Sequence, residues 1–150
     1  MLFGEGRGAN LAFVASTKRD VEKVITIGPV INWLNYDNAL NSGAVSLTAD
    51  EKSRYKSYTK HWGNPESNPD VWLANSPDQL IYDIQAPFLL LSPVDDPKTL
   101  MADVDQMELD YRGCFSCPIT SSFLTFEGNL SDWNFPGIWE VIIDFVEKAE

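Results

Sequence analysis

Two short apolar runs constrain the fold more than any other feature of the chain. "KVITIGPV" is rich in β-branched residues and closes on Gly28 and Pro29, and "APFLLLSP" contains a second run, apolar from Ala86 to Leu91. A run that is apolar at every position, rather than at alternate ones, is typical of a strand covered on both faces. The sequence therefore predicts strands near 24–29 and 87–92 in a parallel sheet.

The second half of the chain alternates between helix and strand patterns. A helix is expected over 97–112, followed by a third strand near 121–126 and a final helix over 136–149. Strands and helices that alternate through short connections form parallel βαβ units. The sequence therefore predicts the α/β class, with residues 1–150 as one domain that is long enough to bury a core.

The segment at about 31–80 separates the first two of these strands. Residues 31–47 are rich in Asn, Gly and Ser and are expected to be irregular. Thr48 and Glu51 then form a capping box, which predicts the start of a polar helix. We expect a helical and irregular insertion here, outside the regular βαβ pattern.

Charge and hydropathy exclude several classes of partner. Of the net charge of −11, residues 1–64 contribute eight basic and six acidic side chains, whereas residues 65–150 contribute three and sixteen. An acidic surface repels phosphate backbones, so no nucleic-acid partner is expected. The sequence contains no run of eighteen apolar residues, so no membrane span is predicted. Glu5 and Arg7 interrupt the apolar N-terminus, so it does not resemble a signal peptide. A cytoplasmic location is the default expectation.

Cys114 and Cys117 form the motif "CFSC". A CxxC pair is compatible with a redox site or with half of a zinc site. Only one such pair is present, however, and the only histidine of the chain, His61, is far away in sequence. We therefore expect ordinary reduced cysteines, no metal site and no cofactor.

The segment "GEGRG" near the N-terminus is compatible with a phosphate loop or with a nucleophile elbow. A dinucleotide fingerprint needs G-x-G-x-x-G and a Walker loop needs Lys-Ser/Thr after its last glycine, and "GEGRGAN" has neither. A nucleophile elbow reads G-x-S-x-G between a strand and a helix. Gly4 and Gly8 supply the two flanking glycines, and Gly6 stands where the serine belongs. The elbow interpretation fits better.

The order of the later elements agrees with the elbow interpretation. Asp95 and Asp96 end the strand in "LLLSPVDDP", and "FEGNLSDW" follows the next strand, which is where α/β-hydrolases carry their acid and histidine. The sequence resembles the α/β-hydrolase fold, most closely its prolyl oligopeptidase-like and dienelactone hydrolase-like branches. The similarity includes "WGNPESNPDVWLANSP" and covers nearly the whole chain, but only as the C-terminal portion of the family's domain. It implies a truncated three-layer architecture with a short parallel sheet.

The resemblance assigns the catalytic positions residue by residue. Gly6 falls at the nucleophile position, Asp96 at the acid position with Asp95 as the alternative register, and Asn129 at the histidine position. Glycine carries no nucleophile, and the amide of asparagine has no basic nitrogen near neutral pH. No intact catalytic set is therefore expected.

Other candidate residues have both a functional and a structural interpretation. Asp96 precedes Pro97, where an aspartate commonly caps a helix. Glu5, Arg7 and Asp95 are the charged side chains beside the triad positions and are the candidate binding residues. The tryptophans either line a pocket or are buried in the core or in oligomer contacts, which is the more usual place for this residue. The five tryptophans are Trp33, Trp62, Trp72, Trp133 and Trp139.

The expected function is that of a non-catalytic, hydrolase-derived protein with a binding or assembly role. Elements precede the elbow in the family and would cover "VITIGPV". Without them this strand is expected to be an uncovered sheet edge, which predicts a homodimer or a partner chain. A small-molecule ligand in the hollow near Gly6, Asp96 and Asn129 is a further hypothesis. The alternative is an α/β-hydrolase of esterase or serine peptidase type, active only with a complementing N-terminal half or an unconventional nucleophile.

Overall fold

A four-stranded parallel sheet forms the centre of the molecule. The structure, a computed structural model, describes residues 1–118, 120–128 and 137–148. The strands lie side by side in sequence order, each parallel to the next. They are β1 (Leu2–Glu5), β2 (Val24–Ile27), β3 (Phe88–Pro93) and β4 (Ser122–Phe126). The three strands predicted from the sequence are confirmed, in the predicted order and direction.

Helices cover both faces of this sheet. On one face, Phe13 and Met107 are buried against Phe88 of β3, and the rings of Phe13 and Phe88 meet edge to face at 5.6 Å. On the other face, Ile142 and Phe145 are buried in a cluster with the outward side chains of β2 and β3. The predicted three-layer α/β architecture is confirmed. The helices are α1 (Arg7–Ser16), α2 (Trp33–Asn41), α3 (Ala49–Trp62), α4 (Pro69–Leu73), α5 (Pro77–Leu80), α6 (Met101–Arg112) and α7 (Ile138–Lys148).

The strand of "VITIGPV" lies inside the sheet, which corrects the expectation that it is an uncovered edge. β2 pairs with β1 on one side and with β3 on the other. Its apolar residues, Val24, Ile25 and Ile27, are at most 1% exposed. Leu2–Glu5 is long enough to pair with it residue for residue. Among the described strands, β1 and β4 are therefore the two edges of the sheet, and Phe3 of β1 is 45% exposed.

Residues 31–47 contain a regular helix, so the expectation of an irregular segment is wrong. The Asn32 side chain accepts hydrogen bonds from the backbone N–H groups of Leu34 and Asn35, both at 3.0 Å, and so caps the N-terminus of α2. The same asparagine content that predicts loops also supplies this cap. The capping box of Thr48 and Glu51 at the start of α3 is confirmed.

The helix predicted over 97–112 begins four residues later, at Met101. Asp96 caps a separate turn instead, because its Oδ1 accepts a hydrogen bond from the backbone N–H of Lys98 at 2.9 Å. A short aspartate side chain satisfies the nearest N–H groups, and this turn ends before the helix begins.

Cys114 and Cys117 form a disulfide in the turn after α6, which corrects the expectation of reduced cysteines. The turn brings their Cα atoms to 5.5 Å, within the range that a disulfide spans. Among the described residues, no helix is long and apolar enough to cross a bilayer.

Candidate functional site

The carboxyl ends of the first three strands open into a hollow of about 500 Å³. Parallel α/β sheets commonly bind ligands at this edge. The floor is built by the β1–α1 turn, by Gly28 and Val30 after β2, and by Lys98 and Thr99 after β3. Side chains of α2 and α3 form the opposite wall, so the hollow lies between the sheet and the 31–80 segment.

Gly6 connects β1 to α1 in a conformation that favours glycine. Its φ is 52° and its ψ is −116°, and its N–H donates to the carbonyl oxygen of Ile27 at 2.8 Å. For a residue with a side chain this backbone conformation costs ~1–3 kcal/mol of conformational free energy, whereas glycine adopts it without that cost. A Cβ added at Gly6 meets no atom within 4 Å. The chain thus turns sharply from strand to helix at Gly6, with open space beside the position that the sequence resemblance assigns to a nucleophile.

The glycines on either side of Gly6, Gly4 and Gly8, differ in how much space surrounds them. A Cβ on Gly4 would lie 2.2 Å from the backbone oxygen of Gly8, because strand and helix cross at van der Waals distance. A Cβ on Gly8 would meet nothing within 4 Å. Close packing therefore requires glycine at position 4. At position 8 a side chain has space, and the Gly8 backbone is what Gly4 packs against.

The two aspartates after β3 have different partners. The Asp95 carboxylate accepts a hydrogen bond from the N–H of Gly128 at 2.6 Å, and the Asp95 N–H donates to the oxygen of Gly128 at 3.1 Å. Asp96 is 5% exposed and caps its own turn. Neither lines the hollow. Asn129 lies outside the described residues, and Asp95 contacts Gly128, the last described residue before it.

Aromatic rings form the wall of the hollow opposite the elbow. Trp33 is 2% exposed, and its ring centroid lies 5.8 Å from that of Tyr36 and 5.1 Å from that of Tyr58. The Trp33 indole N–H has no hydrogen-bond partner among the described residues. We call the connected rings the aromatic cluster, and its members are Trp33, Tyr36, Tyr55, Tyr58, Trp62 and Trp72.

Charged groups of the hollow shift one another's titration. The hydrogen bond from Lys98 holds the pKa of Glu51 at about 2, and the Thr48 cap contributes to the same shift. Burial, together with the charges of Glu51 and Asp96, raises the pKa of Tyr36 to about 12. Burial also raises the pKa of Tyr55, whose hydroxyl donates to Asp37. Both phenols are therefore neutral at neutral pH.

The sequence-based candidates divide between the hollow and its surroundings. Glu5 and Arg7 line it, as does Gly6, but Asp95 does not. His61 is exposed on α3, with its Nδ1 2.6 Å from the carbonyl oxygen of Ser57, and it does not reach the hollow. Among the described residues, no three His, Cys, Asp or Glu side chains are grouped as metal ligands.

Sequence reasoning missed the contribution of α3. Glu51, Arg54, Tyr55 and Tyr58 all face the hollow. Their spacing of three, four and seven residues places them on one side of a helix. That periodicity is the signal that identifies them, and the polar composition of the helix obscures it.

Comparison with known proteins supports the fold assignment. No protein-family model matches the chain, and no curated protein matches it. Solved structures do match. A putative dipeptidyl aminopeptidase IV from Bacteroides ovatus superposes with a TM-score of 0.68 at 14% identity, covering 97% of this chain and 18% of that chain. The acylaminoacyl peptidase of Pyrococcus horikoshii gives 0.67 at 13% identity, covering 98% and 23%.

The similarity extends beyond peptidases. An acetyl xylan esterase from Paenibacillus sp. R4 gives a TM-score of 0.56 at 15% identity, covering 96% of this chain and 43% of that chain. The chain has an α/β-hydrolase-like fold. At these identities the similarity shows the fold alone, and the chain spans about a fifth of the length of the peptidases that it matches. In this α/β-hydrolase-like fold, the Gly6 turn stands at the carboxyl edge of the sheet, beside the hollow.

Proposed function

We propose that the chain is a non-catalytic ligand-binding domain that uses the hollow at Gly6 as its binding site. The observation that carries the proposal is the turn at Gly6, which has a backbone conformation that favours glycine and presents no side chain to a hollow of about 500 Å³. Hollows of roughly 300–1,000 Å³ are typical of small-molecule sites. A small ligand therefore has space beside Gly6.

The chemistry of the surrounding groups supports the absence of catalysis. Covalent catalysis needs an activated nucleophile, and Gly6 provides none. Tyr36 and Tyr55 are poor substitutes because their pKa values are raised, so their hydroxyls stay protonated. Lys98 is engaged in an ion pair with Glu51. In sequence, Asn129 stands at the position that the resemblance assigns to the general base, and an amide cannot take up the proton.

Labelling with a fluorophosphonate probe tests the proposal directly. Wild-type protein should show no covalent labelling and no turnover of p-nitrophenyl esters or aminoacyl-nitroanilides above background. Gly6→Ser should gain neither, because Asn129 supplies no base. Gly8→Ser is the matched control, since it places a serine on the same rim outside the elbow turn. Labelling of any wild-type serine, or wild-type turnover, would overturn the proposal.

A second candidate is hydrolase activity completed by a further polypeptide segment. The fold similarity to peptidases and an esterase favours it, since the chain matches only part of their length. The double variant Gly6→Ser with Asn129→His examines this candidate. Turnover by the double variant in the isolated chain would contradict this candidate, because the chain would then need no further segment.

We also propose that two copies associate through β1. Within the described part of the chain no strand pairs with its outer side, and Phe3 is 45% exposed there. Such edges favour pairing with another strand. Sedimentation at micromolar concentration should give a dimer, and Phe3→Lys should shift it toward monomer. A monomer of 16.8 kDa in the wild-type protein would contradict association.

A further inference from the structure

We infer that the hollow binds a small organic monoanion with a flat aromatic body, such as an aryl carboxylate. The inference rests on the proposed function and specifies the class of ligand for the same site. It is carried by the charges at the rim, by an unsatisfied donor in the wall and by the ring geometry of the aromatic cluster.

The rim of the hollow carries two arginines without partners. Arg7 and Arg54 both line it, and neither forms an ion pair or a side-chain hydrogen bond with any described residue. Both are exposed at the mouth, where a guanidinium group is able to bind a carboxylate through two parallel hydrogen bonds. Lys98 and Glu51 neutralise each other across the hollow.

Glu5 sets the charge that the ligand should carry. It is the lining carboxylate that has no ion pair among the described residues. Arg7, Arg54 and Lys98 against Glu5 and Glu51 leave the lining side chains with one positive charge in excess, on a chain whose net charge is −11. A single negative charge is matched by this excess, whereas a dianion would be repelled by Glu5 and by the acidic remainder of the chain.

The wall contains a hydrogen-bond donor that lacks an acceptor. The Trp33 indole N–H is buried and unpaired within the described part of the chain. Buried donors of this kind are rarely left unsatisfied, so an acceptor supplied by a ligand is favoured here. Arg7 and Gly8 also begin α1 without a side-chain cap, and their position at a helix N-terminus favours negative charge.

The aromatic cluster explains why the body of the ligand should be flat. Trp33 meets Tyr36 edge to face, at an interplanar angle of 83°, and Tyr58 is tilted by 57° against the same indole. Rings in such arrangements pack well against the edge or face of a further aromatic ring. They favour a flat ligand over a branched aliphatic one. The neutral hydroxyls of Tyr36 and Tyr55 add no negative charge to the wall.

Three probes with one ring system test the inference by titration calorimetry on the full chain. They are 2-naphthoate, 2-naphthamide and 2-naphthylmethylammonium, which present an anionic, a neutral and a cationic head group. The naphthoate should bind about tenfold more tightly than the amide, because hydrogen bonds to charged groups are stronger than neutral ones. The ammonium should bind more weakly than the amide.

Matched variants assign the preference to named groups. Arg54→Gln should weaken naphthoate binding by about tenfold and leave amide binding unchanged. Lys56→Gln is the control, because Lys56 is exposed on the same helix and does not line the hollow. Trp33→Phe keeps an aromatic ring but removes the N–H, and should weaken naphthoate binding several-fold.

The possible failures separate the inference from the proposed function. Equal binding of naphthoate and naphthamide, or naphthoate binding that Arg54→Gln leaves intact, would overturn the inference while a ligand-binding hollow remains. Absence of binding for all three probes would also overturn it. Fluorophosphonate labelling of the wild-type protein would overturn the proposed function, whatever the titrations give.

Discussion

The sheet and the 31–80 segment are stabilised in different ways, although they form the two sides of one hollow. The sheet is packed from aliphatic side chains on β2 and β3 that are nearly or fully buried, and from a backbone contact between Gly4 and Gly8. The 31–80 segment is packed from aromatic rings, and its longest helix, α3, has no fully buried residue. The sheet side of the hollow thus depends on backbone geometry and aliphatic packing, whereas the opposite wall depends on the packing of aromatic side chains.

The largest effect should come from Trp72→Ala. Trp72 is fully buried, its N–H donates to the oxygen of Gly63 at 3.1 Å, and its ring lies 5.0 Å from that of Trp62. Truncation of a buried tryptophan destabilises by about 3–5 kcal/mol. Urea titration measures the loss, and Trp139→Ala, at a half-exposed position on α7, is the milder control.

Hydrogen exchange on Trp72→Ala sharpens the comparison between the two regions. Amides of α2 and α3 should lose protection well before those of β2 and β3, because the side chains of α2 and α3 pack in a different hydrophobic cluster from those of the strands. Uniform loss across both regions would show that they unfold as one unit and would break the comparison.

Gly4→Ala should destabilise the sheet side by about 3 kcal/mol or more, as overpacking does when the obstacle cannot rotate away. The obstacle is the Gly8 carbonyl, which is backbone. Gly8→Ala, inside α1 and with open space around it, should be neutral or stabilising by up to about 1 kcal/mol. The denaturant midpoint should therefore fall for Gly4→Ala and stay unchanged or rise for Gly8→Ala. Equal tolerance of alanine at both positions would contradict the close crossing of strand and helix.

A smaller loss is expected for Thr48→Ala. This change removes the capping box of α3, which is worth about 1 kcal/mol. Because α3 supplies the wall of the hollow, naphthoate affinity should fall together with stability. Ser57→Ala, at an exposed position in the middle of the same helix, serves as the control and should alter neither quantity in thermal melts and titrations.

The smallest effect should be a dependence of stability on pH. Burial raises the pKa values of Asp78 and Asp103, so the folded state holds their protons more tightly than the unfolded state does. Their contribution to stability therefore decreases as the pH rises from the ordinary carboxyl range near 3.8 through the raised value. Asp103→Asn should be more stabilising at pH 7 than at pH 4 in urea titrations. Asp105→Asn, exposed on the same helix, should show no such difference.

The sequence predicts the parts of the fold that local patterns determine. β2 and β3 follow from uninterrupted apolar runs, and α3 from the Thr48–Glu51 pair. The start of α6 was misplaced because Asp96 and Pro97 have the same local signature in a turn as at a helix cap. The cysteine pairing was also wrong, since a CxxC motif does not show whether its turn brings the two residues together.

The hollow is less predictable because it depends on tertiary contacts. Glu5, Gly6 and Arg7 were found through the elbow motif, which is local in sequence. Arg54 and Trp33 come from other helices, and only the packing of α2 and α3 over the sheet places them at the same site. The contact of Asp95 with Gly128 after β4 depends on two hydrogen bonds, one to the Asp95 carboxylate and one from its backbone N–H, that no sequence pattern specifies.

The aromatic cluster gives the protein an uneven optical response. Of the four tryptophans in the described part of the chain, Trp33, Trp62 and Trp72 contact one another, with ring centroids 5.0–6.3 Å apart, and only Trp139 belongs to the sheet layers. Intrinsic fluorescence and near-ultraviolet circular dichroism should therefore follow the 31–80 segment, and backbone circular dichroism the molecule as a whole. A denaturation curve recorded by emission reports on the wall of the hollow, so a gap between the two spectroscopic midpoints would measure how far that wall opens while the sheet stays intact.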